Sequence, residues 1–383
     1  MVNMNYCKDI VYIGCDDGTL DLFERQYPLE HGVSYNSYVI LDEKVAVMDT
    51  ADGRVTEKWF ENLDKALGGR TPDYLIVSHM EPDHSKNIGV FLEKYPSAKI
   101  VGNDKTFKLF AEYFTTDVSD RKVVVKEKQE LPLGTHTLRF YFAPMVHWPE
   151  VMVSYELSEK ILFSADAFGK FGILSCEEDW TDEARRYYCN IVGKYGSSVQ
   201  GLLKKVGGLD IRAIYPLHGP ILTDNLGYYI GMYDKWSRYE PEERGIVIAY
   251  ASIHGNTEEA AVHLRDRLEE RGEKTELINL ARCDIAQAVA DVFRYDRLVV
   301  AACTYDAGLF PCAQDFLLHL KAKGIQKRDV VLIENGSWAP QAGKLMAEIL
   351  AGMKSMEIRQ TLTLKGAFKE ENRKQFDLLA QEI

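Results

Sequence analysis

A chain of 383 residues exceeds one core of ordinary size and calls for two domains. Its 46% apolar and 27% charged residues suit a folded protein, and no apolar run approaches the ~20 residues needed to cross a bilayer. The 46 basic residues against 58 acidic ones leave a net charge of −12, and with no basic-aromatic stripe a nucleic-acid partner is disfavoured.

The opening Met1-Val2-Asn3-Met4-Asn5-Tyr6 has no basic stretch leading into an apolar one, so no secretory leader is expected. Strand-like runs follow at 9–14, 37–41 and 44–48, with Asp42-Glu43 as a hairpin turn. A helix is expected near 55–67 and a buried strand at 74–77. Further β-rich stretches cover 121–128, 135–146, 151–157 and 160–166, and helices return at 182–205 and 226–238. Bunched strands with interspersed helices predict an α+β, sandwich-like first domain. Arg238–Gly245 is charged and broken by Pro241, and reads as a linker. Beyond it, strands at 246–250, 275–279, 297–302 and 329–333 alternate with helices at 257–270, 284–290, 312–322 and 340–352, which predicts a doubly wound parallel α/β sheet. The expected domains are 1–243 and 244–383.

Seven cysteines, at 7, 15, 176, 189, 283, 303 and 312, form no Cys-x-x-Cys pair. That argues against a disulfide framework or a tetrathiolate metal site and suits a cytoplasmic protein. Metal-capable side chains are patterned instead. Directly after the strand at 74–77 comes Ser78-His79-Met80-Glu81-Pro82-Asp83-His84, with two imidazoles and two carboxylates in one loop. His147, Asp166 and His218 each follow an apolar strand in the same manner. The crowding suits two neighbouring ions better than one, and a carboxylate such as Asp166 can bridge them. Imidazoles with Glu and Asp and no thiolate favour iron or manganese, with zinc still open.

In the second half, the strand at 246–250 ends in Ser252-Ile253-His254-Gly255-Asn256-Thr257 and runs into a helix. Small and hydroxyl residues there can surround a phosphate with backbone N–H groups. The loop fits neither the Walker nor the Gly-x-Gly-x-x-Gly dinucleotide pattern. Two later strand ends, Thr304-Tyr305-Asp306-Ala307-Gly308 and Asn335-Gly336-Ser337-Trp338, would meet it across the carboxyl edge of the sheet, with Tyr305 or Trp338 able to stack on a planar ring.

The pattern His-x-Glu-x-Asp-His, then a lone His, a lone Asp and a final His, resembles the metallo-β-lactamase superfamily. Its hydrolases usually carry His where this chain has Glu81, and the glutamate variant resembles the diiron branch, the flavodiiron proteins. The loop at 252–257 resembles that of flavodoxins. The resemblance implies a metallo-β-lactamase-like αββα sandwich followed by a flavodoxin-like domain, binding two non-haem irons and FMN. It implies that His79, Glu81 and His147 hold one iron and that Asp83 and His218 hold the other. Asp166 would bridge them, His84 would ligate or turn away, and Tyr195 would stand just outside the ligands. It also implies reduction of dioxygen to water or of nitric oxide to nitrous oxide. Electrons would come from a separate donor such as rubredoxin, in a head-to-tail homodimer or dimer of dimers. The alternatives are a zinc hydrolase with an appended flavin domain, or a flavin and diiron electron carrier that does not turn over. The ligand set alone does not choose between the two gases.

Overall fold

The structure, a computed structural model, describes residues 7–176 and 179–383; Met1–Tyr6, expected to carry no leader, lies outside them. These residues form two compact units, one running to Tyr188 with Ser197–Asp234 added, the other joining Cys189–Gly196 to Lys235–Ile383.

The first unit is built on two sheets. One has six strands in the order Ile10–Tyr12, Tyr38–Leu41, Val45–Met48, Tyr74–Ile76, Lys99–Gly102 and Lys122–Val124. The other has five, in the order Glu130–Pro132, Thr137–Phe142, Met152–Glu156, Ile161–Phe163 and Ala213–Tyr215. Strand side chains alternate between faces. One face of each sheet accordingly supplies a shared core: Tyr38, Ile40, Ala46, Met48, Tyr74 and Ile76 from the first, Leu138, Phe140, Ile161, Phe163, Ala213 and Tyr215 from the second. The strands Val45–Met48, Tyr74–Ile76, Lys99–Gly102 and Lys122–Val124 pair in parallel, as do Ile161–Phe163 and Ala213–Tyr215. Their carboxyl ends therefore deliver successive loops to one edge of each sheet.

The helix expected over 182–205 is interrupted. Trp180–Tyr187 is α-helical, Tyr188–Val192 widens into a π-helix, Gly193–Tyr195 tightens, and Gly196–Val206 resumes the α-helix. Adjacent Ile191 and Val192 with Gly193 and Gly196 make this stretch a poor helix former.

The second unit is a parallel sheet in the order Thr275–Asn279, Glu243–Ala251, Tyr295–Tyr305, Arg328–Asn335 and Met356–Leu364, with Gly308–Leu309 hairpinned onto the third strand in sequence. Numbered by sequence the order is 2-1-3-4-5, which reverses between Glu243–Ala251 and Tyr295–Tyr305 and opens a crevice beyond their carboxyl ends. The closing strand Met356–Leu364 and the helix Glu370–Glu382 extend the alternation past the elements read from the sequence. Part of the expected linker is strand, since Glu243–Ala251 begins inside it.

Buried Arg328 ties that connection down. Its guanidinium donates to the carbonyls of Val292 and Phe293 at 2.8 Å, at the end of the helix Ile285–Arg294, and to that of Tyr239 at 2.9 Å. The first two are helix-end acceptors with no intrahelical donor of their own, and the third lies just beyond the helix Leu226–Ser237. Burial pulls the Arg328 pKa down to about 10, which leaves it charged at neutral pH. Arg328→Met should therefore strand several buried carbonyls and cost the second unit about 3 kcal/mol. A fall in the urea midpoint of that unit, followed by circular dichroism, checks this.

Candidate functional site

The residues singled out between 79 and 218 converge. The chain leaves the buried strand Tyr74–Ile76 at Val77 and Ser78, where the Asp49 carboxylate accepts the Ser78 N–H at 2.6 Å. Pro82 opens the short helix Pro82–Ser85 and, with its φ already set for a helix, aims Asp83 and His84 back at the cluster. Thr50 holds the same turn, donating from both its N–H and its hydroxyl to the His84 carbonyl. Asp166 follows the strand Ile161–Phe163, and His218 follows Ala213–Tyr215. At Gly219, with φ of +80°, a Cβ would lie 2.8 Å from the Lys170 side chain, so a glycine is needed directly after the ligand.

Two groups of donor atoms result. In one, His79 Nε2 and His147 Nε2 lie 3.1 and 3.0 Å from Glu81 Oε2, and each is 3.3 Å from Asp166 Oδ2. In the other, His84 Nε2 and His218 Nε2 each lie 3.3 Å from Asp83 Oδ2, and 3.5 and 3.7 Å from Asp166 Oδ1. Asp166 thus turns one oxygen to each group. Four tetrahedral donors about 2.1 Å from a cation stand about 3.4 Å apart, which is the spacing found here. His84 faces inward with the rest, its Nε2 only 3.0 Å from that of His218.

Proton bookkeeping favours cations at both centres. His218 Nδ1 is 2.7 Å from the Ser34 carbonyl, which can only accept, so Nδ1 carries the hydrogen and Nε2 offers a lone pair to the cluster. His79 Nδ1 donates likewise to Glu150 Oε1 at 2.8 Å, leaving Nε2 between two carboxylates. Asp166 is fully buried, and neither of its oxygens receives a hydrogen bond. Positive charge must come from doubly protonated imidazoles or from bound cations. Burial alone would push His147 down, but Asp166 and Glu81 outweigh it and hold its pKa up at about 9. Burial opposes ionisation of Asp166 as well, and His79, His147 and His84 together keep its carboxyl well below the usual range. This electrostatic demand, with lone pairs turned inward and no thiolate, fits a pair of metal ions.

Three supporting residues escaped the sequence reading. Asp49 ends the apolar strand Val45–Met48, the same context that marked Asp166, and that signal was available. Burial raises its carboxyl to about 6. Glu150 accepts from both His79 Nδ1 and the Met80 N–H at 2.8 Å, and Ser34 grips His218 through its carbonyl and the Gly219 N–H through its hydroxyl. Neither has a local sequence signature. Tyr195 falls in the segment 189–196, which groups with the second unit; two other tyrosines, Tyr187 and Tyr35, stand against the His218 ring, with centroids 5.6 and 5.9 Å away.

In the second unit, a cavity of about 800 Å³ lies at the carboxyl ends of the strands. Ser252, Ile253, His254, Asn256 and Thr257 line it, with Thr304, Tyr305, Asp306 and Ala307 and with Asn335, Gly336, Ser337 and Trp338. Gly255 and Gly308 are not among the lining residues. Gly255 is instead the left-handed residue, φ +86°, that begins the helix Asn256–Glu270, whose first N–H groups receive no side-chain cap from it. That helix start, with donors uncapped, is suited to a phosphate. The Thr304 hydroxyl accepts from the N–H groups of Gln341 and Ala342, which fixes it in the cavity wall with its own O–H still able to donate. Trp338 is 94% exposed at this cavity, an unusual position for an indole that packs on nothing else.

Because Glu150 fixes the tautomer of His79, Glu150→Ala should lower metal affinity about 10- to 100-fold. Glu150→Gln, which keeps an acceptor, should retain most of it. Competition with a chelator measures both, with circular dichroism as the check on folding.

Residues 33–219 match the family described as ODP family beta lactamase, and residues 248–373 match flavodoxin. The chain is 28% identical to a nitric oxide reductase of Moorella thermoacetica, over 90% of this chain and 88% of that one. It is 27% identical to a rubredoxin-oxygen oxidoreductase of Megalodesulfovibrio gigas, over 84% and 82%. It spans about half the length of the cyanobacterial diflavin flavoproteins it matches. The crystal structure of the flavodiiron protein from Giardia intestinalis superposes with a TM-score of 0.93 at 24% identity, covering 99% of this chain and 95% of that one. Lactamase-like and flavodoxin-like domains in this order, shared with these relatives over most of the chain, make it a member of the flavodiiron proteins.

Proposed function

We propose that the protein is an oxidoreductase that reduces dioxygen to water, nitric oxide to nitrous oxide, or both. The observation that carries this is the pair of thiolate-free donor sets sharing Asp166, on a chain that also has a flavodoxin-type cleft. His79, Glu81 and His147 would hold one iron and Asp83, His84 and His218 the other, with Asp166 between them. The cleft in the second unit would hold FMN, its phosphate at Ser252–Thr257 and its ring near Tyr305 and Trp338. When bound, the iron pair and the flavin store and deliver electrons: four, with four protons from solvent, convert dioxygen to two waters, and two, with two protons, join two nitric oxides into nitrous oxide and water.

The chain's own groups prepare the site. Glu150, Ser34 and Asp49 fix the orientation of ligands and ligand loop, so metal binding requires little rearrangement. Phe23, Tyr35 and Tyr187 pack around the His218 ring and keep bulk water from it. The solvent-facing rim is formed by Glu81 and Asp83, at 17% and 13% side-chain exposure. By analogy with the Megalodesulfovibrio relative, electrons would come from a rubredoxin. The proposed assembly is a head-to-tail homodimer or a dimer of dimers in the cytoplasm. Among the described residues, no helix is long and apolar enough to cross a membrane.

The test is metal analysis followed by anaerobic gas consumption with reduced rubredoxin as donor, oxygen and nitric oxide being offered separately. The expected result is two irons and one FMN per chain with sustained turnover of at least one gas. Equimolar zinc with no gas turnover would favour the hydrolase, and reoxidation once per chain would favour an electron carrier. Asp166→Ala should lower the iron content below two and turnover by at least about 100-fold, more than loss of a residue that only supports a ligand. Trp338→Ala should weaken FMN binding about 2- to 12-fold, the 0.5–1.5 kcal/mol of an aromatic contact, read by flavin fluorescence titration.

A further inference from the structure

The walls around the donor cluster are of unequal strength. Tyr35 lies on the strand Val33–Tyr35 and Tyr187 on the helix Trp180–Tyr187, both anchored in the first unit. The remaining ring against His218 is Phe23, edge-on at 5.5 Å between centroids with an interplanar angle of 90°. Phe23 sits on a hairpin made of only two two-residue strands, Leu22–Phe23 and Tyr27–Pro28. Its turn passes through two left-handed residues, Glu24 and Arg25. So short a hairpin is not stable alone. It is held by Phe23 against Phe171 at 5.3 Å and Tyr187 at 6.4 Å, by Tyr27 against Phe171 at 6.5 Å, and by a hydrogen bond from Arg186 to the Pro28 carbonyl. The outer edge of the hairpin is in solvent, with Leu22 39% exposed, while Phe23 and Tyr27 point inward and are buried.

From this packing we infer that the hairpin Leu22–Pro28 is a seal over the His218 side of the cluster, with Phe23 as its plug, and that it protects the metal position held by Asp83, His84 and His218 from water and small anions. The inference rests on the reading of the cluster as a two-metal site. The two metal positions then differ in access. Each position has one carboxylate at the rim, Glu81 or Asp83, but His147 is itself 9% exposed there, whereas His84 and His218, at 0% and 1%, lie behind the rings of Phe23, Tyr35 and Tyr187. Exogenous ligands meet the His147 position first, and the His218 metal is the slower to be lost. Phe23 is a positioning and shielding residue that touches a ligand rather than substrate.

The test uses the iron- and FMN-loaded protein. Ferrozine is added to the reduced form and iron release is followed by absorbance; in parallel, azide is added to the oxidised form and its binding rate read from the azide-to-iron charge-transfer band. Wild type should release iron in a fast and a slow step. Phe23→Ala should accelerate the slow step about tenfold and speed azide binding, by analogy with other changes to a metal's surroundings. Phe23→Leu, which keeps apolar bulk, should restore the wild-type values. If Phe23→Ala fails to load iron, Phe23→Val is read in its place and should give an intermediate acceleration. An unchanged slow step and unchanged azide rate in a fully loaded Ala or Val variant would overturn the seal while leaving the two-iron reading intact. Absence of iron from wild type would overturn both.

Discussion

The carboxylate of Asp166 is the constraint around which the first unit is arranged. A fully buried anion with no hydrogen-bond donor is untenable in a protein interior unless positive charge stands beside it. Four imidazoles surround it, and the two whose outer nitrogens are tied to acceptors are oriented so that, when neutral, each turns its Nε2 lone pair inward. The site as a whole therefore requires positive charge inside it, as imidazolium or as bound cations. That requirement is met by residues from four loops, which explains why so many backbone hydrogen bonds hold those loops.

The sheets make this convergence inexpensive. Parallel neighbours end at one edge, so loops leaving them begin close together without further guidance. Val45–Met48 contributes Asp49 beneath the turn that Tyr74–Ile76 supplies, while Ile161–Phe163 and Ala213–Tyr215, paired in register, supply Asp166 and His218. The same geometry operates in the second unit, where three strand ends line one cleft. The two units thus use one device for different ligands: lone pairs for cations in the first, backbone N–H groups and aromatic faces in the second.

What was legible in the sequence follows from this device. Side chains that bind sit directly after apolar strands, and both features are local, so His79, Glu81, Asp83, His84, His147, Asp166 and His218 can be picked out together. The alternation of the second unit is equally local. Ser34 and Glu150 are not legible, because each acts across 184 and 71 residues of chain on one ring nitrogen. Nothing in the sequence of 189–196 signals that it packs with the second unit. Phe23 is likewise silent: an aromatic in a short polar stretch reads as ordinary until the ring it covers is known. The strand Met356–Leu364 is hard to read for another reason, since its first six residues are largely exposed and lack an apolar run.

Glu81 is where chemistry and family meet. A histidine there, as in the related hydrolases, would leave two carboxylates, Asp83 and Asp166, among the donors. Glutamate makes three, and its charge lies against His147 and His79 at 3.0–3.1 Å. Burial works against its ionisation, and those two imidazoles overcome that and keep it a carboxylate. Each added anionic oxygen donor favours a harder, more highly charged ion. It also stabilises the oxidised member of a redox pair over the reduced one, because the donors' negative charge interacts more strongly with the larger positive charge. A zinc site gains nothing from such a bias, since zinc does not change its oxidation state. A site that must give up electrons does gain from it, and the flavin cleft on the same chain is the means to restore them.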